Sequence, residues 1–182
     1  MKHIAVRARL FETNSSSVHA IVIPTIVSTK ELPKKVHIDD TAYFGWEHGT
    51  SMSVEAKIQY ALIILWDSMY NCTNDERIKA IEDFVDNLES KFGIKVTFGE
   101  EIKERLYNPE EDTYDCPFGG VDHSFEALEF LDAITTNDKL MERYLRVGYI
   151  ITSNDNDDYD DIDSSIEKYK DDKETVIFIK GN

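Results

Sequence analysis

An α+β fold, with a mainly antiparallel sheet and amphipathic helices packed on one face, is the class this sequence predicts. Two observations carry that reading. Short β-rich runs cluster near the start and recur near the end, while the middle reads as helices at the 3.6-residue repeat. Helical and strand-like segments are grouped and do not alternate one for one, which disfavours a doubly wound parallel sheet. A length of 182 residues, 41% hydrophobic and 31% charged, is enough for one domain, 1–182, with a substantial core.

Taken in order, residues 2–10 alternate loosely through Ile4, Val6 and Leu10 and predict a first strand. Glu12 to Ser17 follows as a loop, because Asn and Ser side chains compete with the backbone for hydrogen bonds. Val18 to Ile23 is β-rich and stops at Pro24, so the two runs predict a hairpin with a hydroxyl-rich connection. Further strands are expected at Lys35 to Ile38 and Thr41 to Phe44. Ser51 or Ser53 can cap a helix reaching about Tyr70, with Ile58, Ala61, Leu62, Leu65, Trp66 and Met69 on one buried face.

Thr73-Asn74-Asp75-Glu76 is a capping box, and the helix it opens runs through Ile78, Ile81, Val85, Leu88 and Phe92 to a stop at Gly93. The two helices predict an antiparallel pair. A strand from Ile94 to Phe98 and a short helix from Glu100 to Tyr107 come next. Asn108 to Gly120, with Pro109, Pro117, Gly119 and Gly120, reads as a loop. Helices over 124–134 and from an Asn137 cap to about Arg146, then strands over 149–152 and 175–179, complete the pattern. Residues 153–174 read as an acidic surface insertion.

Charge is the abnormal feature: 36 acidic against 20 basic residues, a net of −16. It is uneven. Residues 1–38 carry Lys2, Arg7, Arg9, Lys30, Lys34 and Lys35 against Glu12 and Glu31, a net of +4 that leaves −20 for the rest. Such a field repels nucleic acid and anionic membranes and attracts basic protein surfaces; it also serves solubility alone. Cys72 and Cys116 lack ligand-like spacing, which argues against a disulfide framework or a zinc site. The opening residues lack the apolar core of a signal peptide, and the most apolar run, Tyr60 to Trp66, is too short to span a bilayer, so a cytoplasmic protein is expected.

Three constellations stand out. In the first, Asn14, Ser15, Ser16, Ser17 and His19 gather an amide, three hydroxyls and an imidazole, a set that can bind phosphate or pair a nucleophile with a base. Strand alternation from Ser17 places Ser17 and His19 on one face. No Gly-x-Ser-x-Gly elbow is present and no acid is placed to orient His19, so a turn or binding loop is favoured over catalysis. In the second, Gly119 to Ser124 contains Asp122 and His123. Capping explains Asp122 or Ser124, and adjacent side chains on a turn converge poorly on a metal. Cys116, with no cationic neighbour, is a poor nucleophile.

The third runs from Ser153 to Asp163, with Asp155, Asp157, Asp158, Asp160, Asp161 and Asp163 in nine residues. Read as a calcium loop from Asn156, it puts Asp158, Asp160 and Glu167 at ligand positions, but Asn156 and Asp161 stand where Asp and Gly are wanted. Weak divalent cation binding is all the spacing supports, and no dedicated cofactor is expected. A run of carboxylates also imitates a phosphodiester chain and can fill a cationic groove. A solvated surface loop accounts for it equally well.

Phe11 to His19 resembles the opening of a broad group of phage and mobile-element proteins from gut Firmicutes. Gly120-Val121-Asp122-His123 and Ile151 to Asn156 resemble later motifs of the same group. The resemblance implies a mobile-element accessory role in a bacterial host cell. Small acidic proteins of that kind block host defence enzymes, and anti-CRISPR inhibitors of type II RNA-guided nucleases fit the size and charge. The expectation is therefore a non-enzymatic inhibitor that binds a basic nucleic-acid-handling protein, such as a type II CRISPR nuclease with its guide RNA, through Asp155 to Asp163. No direct nucleic-acid or membrane contact is expected. The alternative is a metal-assisted hydrolase or nuclease drawing on Asn14 to His19, Asp122 with His123, and Asn154 to Asp157.

Overall fold

The computed structural model describes residues 18–26, 30–45, 49–108, 115–121, 127–153, 160–169 and 171–180. It contains β1 (Val18–Ile23), β2 (Lys35–Ile38), β3 (Ala42–Phe44), β4 (Gly49–Ser51), α1 (Val54–Ser68), α2 (Asn74–Phe92), β5 (Lys95–Phe98), α3 (Glu100–Tyr107), β6 (Gly119–Val121), α4 (Leu128–Thr136), α5 (Asp138–Val147), β7 (Tyr149–Ser153), α6 (Asp160–Tyr169) and β8 (Val176–Lys180). The class is α+β. Strands β4, β7, β1 and β8, in that order, form an antiparallel sheet.

Local chemistry explains the helix ends. The Ser53 hydroxyl accepts from the Ala56 amide at 3.0 Å and starts α1. Thr73 and Glu76 form the reciprocal capping box of α2, and Gly93 closes that helix in the left-handed conformation at φ 68°. The Asn137 carbonyl side chain accepts from the Leu140 amide at 3.1 Å and starts α5. At the far end of the sheet, the Asp172 carboxylate accepts from the Thr25 and Thr175 hydroxyls, tying the exit of β1 to the turn before β8. Those bonds hold the Asp172 carboxyl down at about 2.

Several expectations are corrected. The 2–10 half of the predicted hairpin lies outside the described residues, but its other half, β1, pairs with β7 on one side and β8 on the other. β7 pairs with Val18 to Val22 and β8 with His19 to Ile23, so both edges of β1 are taken from His19 to Val22. The sheet is also covered on both faces. On β1, Ile21 and Ile23 point into the core shared with α1, α2, α4 and α5, while Ala20 and Val22 pack with Ile151 against Ile162 of α6. Helices on one face alone would have left Ala20 and Val22 in water.

The predicted acidic loop over 153–174 accordingly contains a helix, α6, and is not a plain surface insertion. Two further strand pairs are parallel: β2 with β5, and β3 with β6. The second falls within the predicted 108–120 loop and extends to Val121. It depends on Gly119, at φ 118°, where a Cβ would sit 1.9 Å from the Ala42 carbonyl oxygen.

Helix α1 is buried on nearly all sides, not on the single face its apolar positions suggested: every residue from Lys57 to Ile64 is buried. Its polar side chains therefore need interior partners. The Lys57 ammonium donates to the Leu145 and Gly148 carbonyls at 2.6 and 3.0 Å, holding the C-terminal end of α5. The Gln59 amide donates to the Asp40 and Phe118 carbonyls at 2.7 and 2.9 Å, pinning the entries to β3 and β6.

Two consequences are measurable. Replacing Gln59 with Leu leaves these carbonyls short of a donor and should lower unfolding free energy by ~1–3 kcal/mol in urea titrations; an unchanged midpoint would show that the pin is dispensable. Burial, reinforced by the charge of Lys30, brings the Lys57 ammonium from 10.5 down to about 8. Between those values the folded chain holds a neutral amine and the unfolded chain a protonated one, so stability rises with pH and the gain is lost as pH falls through 8. Relative to Lys57→Met, the unaltered chain should gain up to ~1.4 kcal/mol per pH unit across that window. A flat difference would mean that Lys57 stays charged inside.

Candidate functional site

The strand ends bring together the boundaries of the first and third polar motifs, and the second leaves a separate strand pair. Val18, which directly follows Ser17 in sequence, pairs with Ser153, which directly precedes Asn154. The first and third motifs thus join the antiparallel ladder at the same end. Gly49 of β4 pairs with Thr152 at that end too. Val121, the residue before Asp122, pairs with Phe44.

One aromatic side chain links these boundaries. The Phe44 ring meets the Tyr60 ring edge-on at 5.1 Å, and the Tyr60 ring lies 6.3 Å from the His19 imidazole. Phe130 of α4, the helix beyond the second motif, meets Tyr60 edge-on at 5.9 Å. Tyr60 on α1 is therefore flanked by the exit of β6, the entry of α4 and the start of β1.

The described polar groups here are His19, Thr152 and Tyr60. His19 is fully buried on the helix-facing side of β1, and its strand neighbour Thr152 is buried as well. The His19 ring belongs to the wall of the core, beside Tyr60. The Tyr60 hydroxyl is buried with no hydrogen-bond partner among the described residues. Burial pushes its phenol well above its ordinary range, so it stays a neutral donor. An orphan donor of this kind is uncommon in a folded interior and calls for an explanation.

The other predicted site residues fall into two groups. Asn14, Ser15, Ser16, Ser17, Asp122, His123, Asn154, Asp155, Asp157 and Asp158 lie outside the described residues. Asp160, Asp161 and Asp163 fall within α6. A helix beginning at Asp160 is incompatible with a twelve-residue calcium loop starting at Asn156. Cys116 is buried, and burial drives its thiol far above the reactive range, so it is no nucleophile at neutral pH. Among the described residues, no three His, Cys, Asp or Glu side chains cluster as metal ligands.

Sequence reasoning missed Tyr60 and Thr152. Tyr60 sits in the most apolar run of the chain, where its ring reads as core and its hydroxyl carries no local signal. The phenol has a measurable cost. Tyr60→Phe removes the unpaired donor without changing the ring, and should raise stability by ~1 kcal/mol in thermal or urea unfolding. A loss of stability would reveal a partner for the hydroxyl.

No protein-family model, curated protein or solved structure matches the chain, so the reading of this site rests on its residues and geometry.

Proposed function

We propose that the three motifs form one polar site at the shared strand end, and that this site performs hydrolytic chemistry of the metal-assisted hydrolase or nuclease class. The observation that carries the reading is that the rings of His19, next to the Val18–Ser153 pair, and of Phe44, paired with Val121, both lie beside the buried Tyr60. Catalytic groups must reach one substrate, so this reading requires the three polar segments to meet beyond these strand ends. Metal donors for such chemistry would be Asp122, His123, Asp155 and Asp157. The hydroxyls of Ser15 to Ser17 supply a nucleophile or a phosphate cradle. The Tyr60 phenol, neutral and desolvated, suits the role of a fixed hydrogen-bond donor behind the site.

A second reading is favoured by a separate observation, the charge. A net of −16 with six aspartates running into α6 suits an inhibitor from a mobile element that occupies a basic nucleic-acid-handling protein in the cytoplasm of a bacterial host. An anti-CRISPR protein acting on a type II RNA-guided nuclease is its specific form. Such nucleases hold guide and target in a positively charged channel that an acidic surface can enter. The helix suits it too, because α6 is anchored to the sheet through Ile162.

One set of measurements separates the two. Purified protein is assayed on phosphodiester and ester substrates with and without a chelator, and on DNA cleavage by a panel of type II nucleases across a salt series. The hydrolytic reading expects turnover that falls at least ~100-fold in His123→Ala and in chelator. Stoichiometric nuclease inhibition that fades with salt and disappears when Asp157, Asp158, Asp160 and Asp161 become Asn would instead support the acidic binder. Turnover unaffected by His123→Ala, or none on any substrate, would overturn the hydrolytic reading.

A further inference from the structure

At the opposite pole of the charge distribution, the fold gathers cations. The parallel register of β2 and β5 sets Lys35 directly beside Lys95, both exposed. Like charges in directly opposed strand positions are destabilising. The Lys95 amide donates to the Lys34 carbonyl, which puts a third lysine at the same strand entry. Beside Lys34 opens a cleft of about 730 Å³, bounded by the start of β2, the C-terminal turn of α2 and one face of α5. Its volume is that of an ordinary small-molecule site.

The lining separates into committed and uncommitted charges. Lys91 pairs with Asp138 at 2.8 Å, and Arg146 pairs with Glu142 at 2.9 Å while donating to the Lys30 carbonyl. Lys34 and Lys139 line the cleft, and neither they nor the neighbouring Lys35 and Lys95 make an ion pair among the described residues. Glu31 is the one lining carboxylate outside those two pairs. Leu32 and Phe92 supply an apolar wall. Uncommitted positive charge beside an apolar surface thus survives in a chain of net −16.

We propose that this cleft binds a small phosphate-bearing molecule of nucleotide size, with its phosphate against Lys34 and Lys139 and its flat apolar part against Phe92 and Leu32. The compact ligand follows from the charge distribution. A long polyanion meets the repulsion of the whole molecule, whereas a single phosphate group sees chiefly the nearby ammonium groups within a Debye length. More than one uncommitted ammonium favours a phosphate over a single carboxylate. The cleft is separate from the strand-end site and does not depend on it.

The test titrates the intact protein with AMP, ATP, adenosine and a single-stranded oligonucleotide at low salt, by calorimetry and by amide chemical shifts. Expected are AMP and ATP binding with shifts around Leu32, Lys34, Phe92 and Lys139, and no response to adenosine. Lys34→Gln with Lys139→Gln should weaken AMP at least ~10-fold. Lys79→Gln, which removes an exposed charge elsewhere on α2 that pairs with Asp83 on its own helix, should leave it unchanged. Equal weakening in that control, adenosine binding as tightly as AMP, or no response to any probe would overturn the proposal. An oligonucleotide bound more tightly than AMP would also overturn it, in favour of a nucleic-acid surface.

Discussion

The rest of the molecule depends on the burial of α1. A helix without a solvent face must find partners inside for every polar group it carries, since an unpaired one costs on the order of 1–3 kcal/mol. Lys57 and Gln59 meet that demand by donating to backbone carbonyls far away in sequence. The carbonyls they reach define the end of α5 and the entries to β3 and β6. Tyr144 answers from the other direction, its hydroxyl donating to the Lys57 carbonyl at 3.0 Å. The polar side chains of one helix thus fix how α5 and the β3–β6 pair sit around it. Tyr60 and Trp66, on the same helix, are the exceptions: the buried Tyr60 hydroxyl and Trp66 indole N–H have no hydrogen-bond partner among the described residues.

What could be read from the sequence was what is locally encoded. The Thr73 to Glu76 box, Gly93, and the caps Ser53 and Asn137 each act within one turn of the residue that displays them, and each is found in place. The failures are non-local. Nothing near Val18–Ile23 announces that β7 and β8, more than a hundred residues later, occupy both of its edges. The parallel pairing of β2 with β5 bridges the whole α1–α2 hairpin, and a few residues of strand carry no record of such a partner. Helix α6 is a different kind of miss. Its apolar spacing, Ile162, Ile166 and Tyr169, was present in the sequence but lay among aspartates, whose density invites a loop assignment.

The same division applies to the candidate site. Composition alone singled out the three motifs, because clustered Asn, Ser, His and Asp residues are visible wherever they fall. How their flanking residues are placed was not visible, since it is set by the β1–β7 register and by the Phe44–Tyr60 and Tyr60–His19 aromatic contacts. His19 illustrates the cost of reading one strand alone. Alternation correctly gives it a single face, but whether that face meets water or α1 depends on what covers the sheet.

Two of the local costs in the fold adjoin a candidate site: the Tyr60 hydroxyl, without a partner among the described residues, and the Lys35–Lys95 opposition; the buried Trp66 indole N–H and Arg143 Nε find no hydrogen bond among those residues either. Sequences that specify one structure tend to agree with it at every level, so departures gather where something besides stability is being served. Both departures adjoin a place where a ligand could stand, one at the strand-end motifs and the other at the cationic cleft. They also differ in kind. A buried donor without a partner suits a group that arrives and desolvates, whereas exposed ammonium groups suit an anion attracted through solvent. The physical character of each cost therefore matches a different class of partner, which is why the two places are better understood as separate sites than as parts of one.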